Sequence, residues 1–192
     1  MKMKYLFFDT ETTGLPQFYE LPVSMLENWP RMVQIAWIIF DEQGIELNKE
    51  SHIIKPEGYT IPEEVAKIHR ITTERAIREG KDLKEILEQF SNAVKSSDLV
   101  IAHNMRFDEK IVGAEFIRKN VSNSLEEKEK FCTMLSSTNF CQIPSEYGNK
   151  WPKLTELHLK LFNEEFADEH DARADVTACA RCFFEMKKLN II

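Results

Sequence analysis

The stretch Tyr5-Leu6-Phe7-Phe8-Asp9-Thr10-Glu11-Thr12-Thr13-Gly14-Leu15-Pro16 governs the reading of the whole chain. Its first four residues form a short apolar run with the length and aromatic content of a strand, and the run ends on an acid. Residues 10–16, punctuated by Gly14 and Pro16, are expected to turn. If the strand persists beyond Asp9, its period of two aims Asp9 and Glu11 the same way. Asp-x-Glu by itself carries no weight, since about one such pair is expected by chance at this composition. The aromatic strand before it and the Thr-Thr-Gly-Leu turn after it give the pair its meaning.

Outward from this stretch, strands come early and helices alternate later. Residues 17–30 hold Phe18, Tyr19, Trp29 and two prolines without a period and read as an ordered loop. Met32–Phe40 is a second strand, and Glu42-Gln43-Gly44 suits a hairpin turn into a third near Glu50–Ile54. Pro62 opens a short helix to about Ile68, and Leu83, Ile86, Leu87, Phe90 and Val94 mark an amphipathic one. The apolar Leu99-Val100-Ile101-Ala102 is typical of a strand covered on both faces, with a helix following from about Arg106 to Lys119. Glu126–Lys130 reads as a solvated helix end or loop, and 140–152 as a surface loop. Helices over Lys153–Phe162 and Ala172–Lys188 complete an α/β pattern with a mixed sheet, in one domain over 1–192.

Composition bounds the function. The 192 residues are 43% hydrophobic and 30% charged, which suits a soluble protein with a sizeable core. No apolar run reaches the roughly 18 residues of a membrane span, and no secretory cleavage site follows the N-terminus. Four cysteines are too few for a disulfide scaffold, so a reducing, cytoplasmic setting is expected. The net charge of −7 argues against coating long nucleic acid through a broad basic face, but not against an enzyme that grips a few nucleotides.

A second pattern is rarer than Asp-x-Glu. Chance predicts roughly 0.2 occurrences of His-x-x-x-x-Asp, yet His103…Asp108 leaves the 99–102 strand and His170…Asp175 begins the last helix. Ligands of open α/β sheets collect beyond the carboxyl ends of the strands. Asp9, Glu11 and Asp108 belong there, and Asp175 reaches the spot from a helix crossing the sheet. Four clustered carboxylates repel one another unless cations neutralise them. All-oxygen donors favour hard ions, magnesium or manganese, and two such ions about 4 Å apart are an arrangement for phosphodiester cleavage. His170, just ahead of the helix, is placed to take a proton from water. Taken singly, Asp9 also suits a strand-ending turn, Asp108 and Asp175 suit a helix surface, and Asp171 is the expected N-cap.

Together Phe8-Asp9-Thr10-Glu11-Thr12-Thr13-Gly14-Leu15, His103-Asn104-x-x-Phe107-Asp108 and His170-x-x-x-x-Asp175 resemble the three motifs of the DEDDh 3′–5′ exonucleases. That family includes the proofreading epsilon subunit of the bacterial replicative polymerase. The resemblance implies a ribonuclease H-like fold, two divalent cations and release of nucleoside monophosphates from a 3′ end, single-stranded DNA being favoured. Asp9, Glu11, Asp108 and Asp175 would be the metal ligands and His170 the general base. Thr12, Thr13 and Leu15 would lie against the terminal nucleotide, with Gly14 permitting the close turn, although Leu15 also suits a core position. Asn104 lies beside the site, His103 is expected to be structural, and His69 resembles a helix-end segment that approaches substrate. The 16–30 loop is longer than an epsilon-type connection, no polymerase-binding tail is visible, and Thr10-Glu11-Thr12 replaces the Leu-Glu-Met of oligoribonucleases. The alternatives are a non-catalytic nucleic-acid or partner-binding module, an exoribonuclease of the same fold, and a phosphatase or endonuclease.

Among the remaining features, Cys179 and Cys182 read as buried helix residues rather than half of a zinc site with Cys132 and Cys141. His52 and His158 read as ordinary surface or strand residues. Arg31, Lys150, Lys153, Arg173 and Arg181 are candidates for a small basic rim, with weak and salt-sensitive substrate binding expected.

Overall fold

In a computed structural model, which describes residues 3–167 and 169–192, a mixed sheet is flanked by helices on both faces. Strands β1 (Lys4–Thr12), β2 (Met32–Asp41), β3 (Glu46–Ile53), β4 (Leu99–Ala102) and β5 (Glu129–Cys132) lie in the order β3-β2-β1-β4-β5. The pairs β1/β2 and β2/β3 are antiparallel, whereas β1/β4 and β4/β5 are parallel. Helices α1 (Glu63–His69), α2 (Thr73–Glu79), α3 (Leu83–Lys95) and α4 (Met105–Lys119) precede α5 (Thr133–Cys141), α6 (Leu154–Phe162) and α7 (Ala172–Lys188). This is the α/β mixed sheet that the strand pattern predicts, in the ribonuclease H-like arrangement that the resemblance implies.

Alternation along β1 builds both walls of the core. Leu6 and Phe8 join the cluster formed with α3 and α4, where Phe8 meets Phe90 at 5.3 Å between ring centroids. Tyr5 and Phe7 face the other way, into the cluster with Val176, Cys179 and Phe183 of α7. Asp9 and Glu11 continue the Tyr5–Phe7 row beyond the point where α7 begins. The same period that buries two aromatics thus delivers two carboxylates to one side.

Several boundaries differ from the sequence reading. The turn expected over 10–16 starts later, because β1 keeps its register with β2 up to Glu11/Thr12, where it shifts. The third strand begins at Glu46, four residues early. Glu126–Lys130 is not wholly helix end or loop, since Glu129 and Lys130 open β5, a short edge strand beside β4. α2 and α5 carry no clear apolar period and were not legible. The 17–30 loop holds a single 3-10 turn at Leu26–Asn28. The 140–152 loop folds into a small hairpin of β6 (Pro144–Ser145) and β7 (Gly148–Asn149). No helix among the described residues is long and apolar enough to cross a membrane.

Candidate active site

The site forms where β1, β4 and α7 end or begin together. β4 passes through His103 into Asn104, whose left-handed backbone (φ 72°) turns the chain into α4. One turn on, Asp108 is buried, and its Oδ1 accepts from the Thr10 amide at 3.1 Å and the Thr10 hydroxyl at 2.7 Å. α7 starts at Asp171, the expected N-cap, whose carboxylate accepts from the amides of Arg173 and Ala174. The Ala172 amide donates to Gln34 Oε1 across the sheet at 3.3 Å, which fixes where α7 enters. Asp175 then faces β1.

Asp9, Glu11 and Asp175 each offer a carboxylate oxygen, all within 4.8 Å of one another. Asp108 completes the group across Thr10, near enough to raise the proton affinity of Asp9 and Glu11. Burial and then mutual repulsion push the Asp9 carboxyl well above the usual range, and hold Glu11 at about 9. Burial raises Asp108 and Asp175 to about 7 even though each accepts a hydrogen bond from a backbone amide. A buried cluster of oxygen donors that cannot all stay ionised fits a divalent cation, which removes the repulsion. Asp9, Glu11 and Asp175 are placed to share it, with Asp108 alongside.

Around these acids a cavity of about 370 Å³ is lined also by Leu15, Tyr19, Asn104 and His170. His170 sits on the loop before α7 with φ 66°; its amide donates to Asp175 Oδ2 at 3.1 Å and its Nε2 lies 3.3 Å from Glu169 Oε1. Leu15 is 74% exposed, which removes the core reading for that side chain. The hydroxyls of Thr12 and Thr13 are committed to the turn itself. Thr12 donates to the Gly14 carbonyl at 2.6 Å, and Thr13 accepts from the Arg31 amide at 2.9 Å. Gly14 has φ 148°, open space where a Cβ would stand, and a backbone that side-chain-bearing residues rarely adopt.

The histidines divide by environment. His103 lies between the Thr133 hydroxyl and the Pro152 carbonyl, each 3.0 Å away, and burial lowers its pKa to about 4. It ties β4 to the segment leading into α6. His69 is buried with Nδ1 accepting from the Ile71 amide, and Nε2 faces the Thr12 backbone without a well-formed bond. His158 is not a surface residue. Its ring packs between Phe162 and Phe166, with Nδ1 on the Glu164 carbonyl at 2.9 Å and Nε2 3.2 Å from Arg181. A histidine in an apolar helix repeat gives no sign of this.

The expected basic rim is also redistributed. Arg31 pairs with the fully buried Glu115, Lys150 with Glu156, and Arg181 with Glu164. Cys179 and Cys182 lie in different hydrophobic clusters, and burial holds the Cys179 thiol well above its usual range and that of Cys182 at about 12. These thiols fill the core. Among the described residues the acidic trio alone has the geometry of a metal group. Gln34 and Glu115 were missed by sequence reasoning, because a polar residue in an apolar run carries no signal of its partner.

A family model described as exonuclease matches residues 6–183, nearly the whole chain. This chain belongs to the exonuclease family. No curated protein sequence matches it significantly. Solved structures of E. coli exonuclease I share its fold. One, in complex with a dT13 oligonucleotide, has a TM-score of 0.76 at 19% identity, covering 98% of this chain and 42% of the other. Another, a zinc-bound complex with single-stranded DNA, gives 0.77 at 20% identity, covering 97% and 41%. A product-bound exonuclease I structure gives 0.76 at 18%, covering 100% and 45%. The chain of this exonuclease family member therefore spans less than half the length of those it matches.

Proposed function

We propose that residues 1–192 act as a single, metal-dependent 3′–5′ exonuclease domain that removes nucleoside 5′-monophosphates from nucleic acid, with single-stranded DNA favoured. The observation that carries this reading is the convergence of Asp9, Glu11 and Asp175 to within 4.8 Å, beside the buried Asp108, in a chain of the exonuclease family. Two divalent cations, magnesium or manganese, would supply charge neutralisation and activation of the attacking water when bound. Asp9, Glu11, Asp108 and Asp175 are the proposed ligands. His170 is the proposed general base, because an imidazole ordinarily titrates nearest neutral pH and this one stands at the cavity mouth. The Asp175 carboxylate fixes the His170 backbone, which keeps the base in register with the acids.

Leu15 and Tyr19 stand exposed at the entrance, where apolar and aromatic surfaces suit stacking on a terminal base. Asn104 borders the same space. Thr12, Thr13 and Gly14 shape the turn that presents Leu15, and His69 lies buried beside the Thr12 backbone. Four free cysteines suit a reducing, cytoplasmic setting.

The test follows 5′-labelled single-stranded DNA and RNA oligonucleotides with magnesium or manganese, with EDTA and Asp9→Ala controls. Shortening from the 3′ end, absent in both controls, is expected, with DNA cut faster than RNA. Substantial cleavage by Asp9→Ala would overturn the assignment. Absence of cleavage with either metal would favour a binding module instead.

A further inference from the structure

Next to the acidic cavity, and sharing His170 as a common wall, runs a larger groove of about 570 Å³ between α7, the β3 edge and the α1–α2 corner. Its character is opposite to that of the whole chain. Lys49, Arg70, Arg75, Arg173 and Arg181 line it, in a protein of net charge −7. Among the described residues two carboxylates, Glu169 and Asp171, also border it, and Asp171 is committed to capping α7. We propose that this groove carries the phosphate backbone of the substrate strand on the 5′ side of the scissile bond. The proposal rests on the exonuclease reading of the adjacent site.

An enzyme that releases one nucleotide at a time has a single residue of substrate on the 3′ side of the cut, and the acidic cavity of about 370 Å³ takes that end. Every further phosphate lies upstream of the acids and needs a counter-charge of its own. Arg173, Thr177 and Arg181 recur every fourth residue along one face of α7. At 1.5 Å per residue they span about 12 Å, roughly three phosphates of a stacked strand. Lys49 reaches this row from β3, its Nζ 3.0 Å from the neutral Thr177 hydroxyl. Arg173 is exposed and forms no ion pair among the described residues. Arg181 stacks on Phe162 at 4.0 Å, which orders its guanidinium, while pairing with Glu164 at 2.7 Å. Arg75 pairs with Glu79 at 2.9 Å, so the groove couples two ready cations to others that a phosphate must share.

The double variant Lys49→Gln/Arg173→Gln tests this, with Lys84→Gln on the remote α3 as a control for net charge. Two substrates separate the groove from the chemistry: a (dT)12 oligonucleotide, and thymidine 5′-(p-nitrophenyl) phosphate, which has one phosphate and cannot reach the groove. Expected for the double variant is a roughly tenfold rise in KM for (dT)12 with the small ester hydrolysed as by the parent protein. The slope of log affinity for fluorescein-labelled (dT)12 against log salt, read by anisotropy in EDTA, should flatten by about 1.4, at roughly 0.7 for each phosphate the variant no longer neutralises. An unchanged KM and slope, or an equal change in Lys84→Gln, overturns the groove. If the parent protein hydrolyses neither substrate, the exonuclease reading fails by itself, and the anisotropy comparison still decides whether the groove binds the strand.

Discussion

Replacing Asp9 by Asn removes one charge from a cluster in which each acid raises the proton affinity of another, while keeping the shape of the side chain. Activity should fall by at least about 10³-fold, since the carboxylate is a proposed metal ligand. The melting temperature without metal, measured at pH 8, should rise by a few degrees because the repulsion is relieved. His170→Ala should separate the two roles: kcat lower by about 10²–10⁴-fold, with manganese binding by calorimetry unchanged. A matching loss of metal affinity would make His170 a ligand or scaffold instead of a base. At this scale the sequence was informative where types and spacing recur, as in His103…Asp108 and His170…Asp175. It was silent on Gln34 and His158, whose partners Ala172 and Arg181 lie far along the chain.

Between elements, the decisive hidden contact is Glu115 of α4. Its carboxylate is fully buried and accepts from the Met32 amide at 3.0 Å and Arg31 Nε at 2.9 Å, with Arg118 3.1 Å away. Arg118 in turn donates to the carbonyls of Leu26 and Trp29. One acid thereby ties α4 to the start of β2 and to the 17–30 loop that frames the cavity. Glu115→Ala should cost on the order of 3 kcal/mol in urea denaturation, because two guanidinium groups lose their buried counter-charge. A cost below about 1 kcal/mol would show the network to be marginal. Element recognition followed the same physics. α3 was legible because Leu83, Ile86, Leu87, Phe90 and Val94 repeat at helical spacing and are all buried. α5, Thr-Met-Leu-Ser-Ser-Thr-Asn-Phe-Cys, has small polar residues on both sides and takes its helix from packing against α6 and α7. β5 was hidden because an edge strand beginning Glu-Lys looks like solvated chain until β4 offers it a partner.

For the whole molecule, the sheet order places four acids at one end of the core, and folding without metal must drive them together. Their folded-state proton affinities lie above those of the unfolded chain, with Asp108 and Asp175 at about 7 and Glu11 at about 9. The folded state therefore binds more protons than the unfolded state between about pH 4 and 9, so stability falls as pH rises through that window. Below pH 4 both states are protonated and the penalty vanishes. A divalent cation binds the ionised form, so its stabilisation should grow in the opposite sense. Melting curves with EDTA should drop by about 10 °C or more between pH 6 and pH 8.5, each kcal/mol being worth roughly 2–4 °C in a chain of this size. With millimolar manganese the drop should largely disappear, and Asp9→Asn should show a shallower dependence in EDTA. A flat metal-free profile would mean that the acids are already neutralised by something other than the proposed cations. It would place the counter-charge in the protein itself, with the cationic groove beyond His170 as its nearest source.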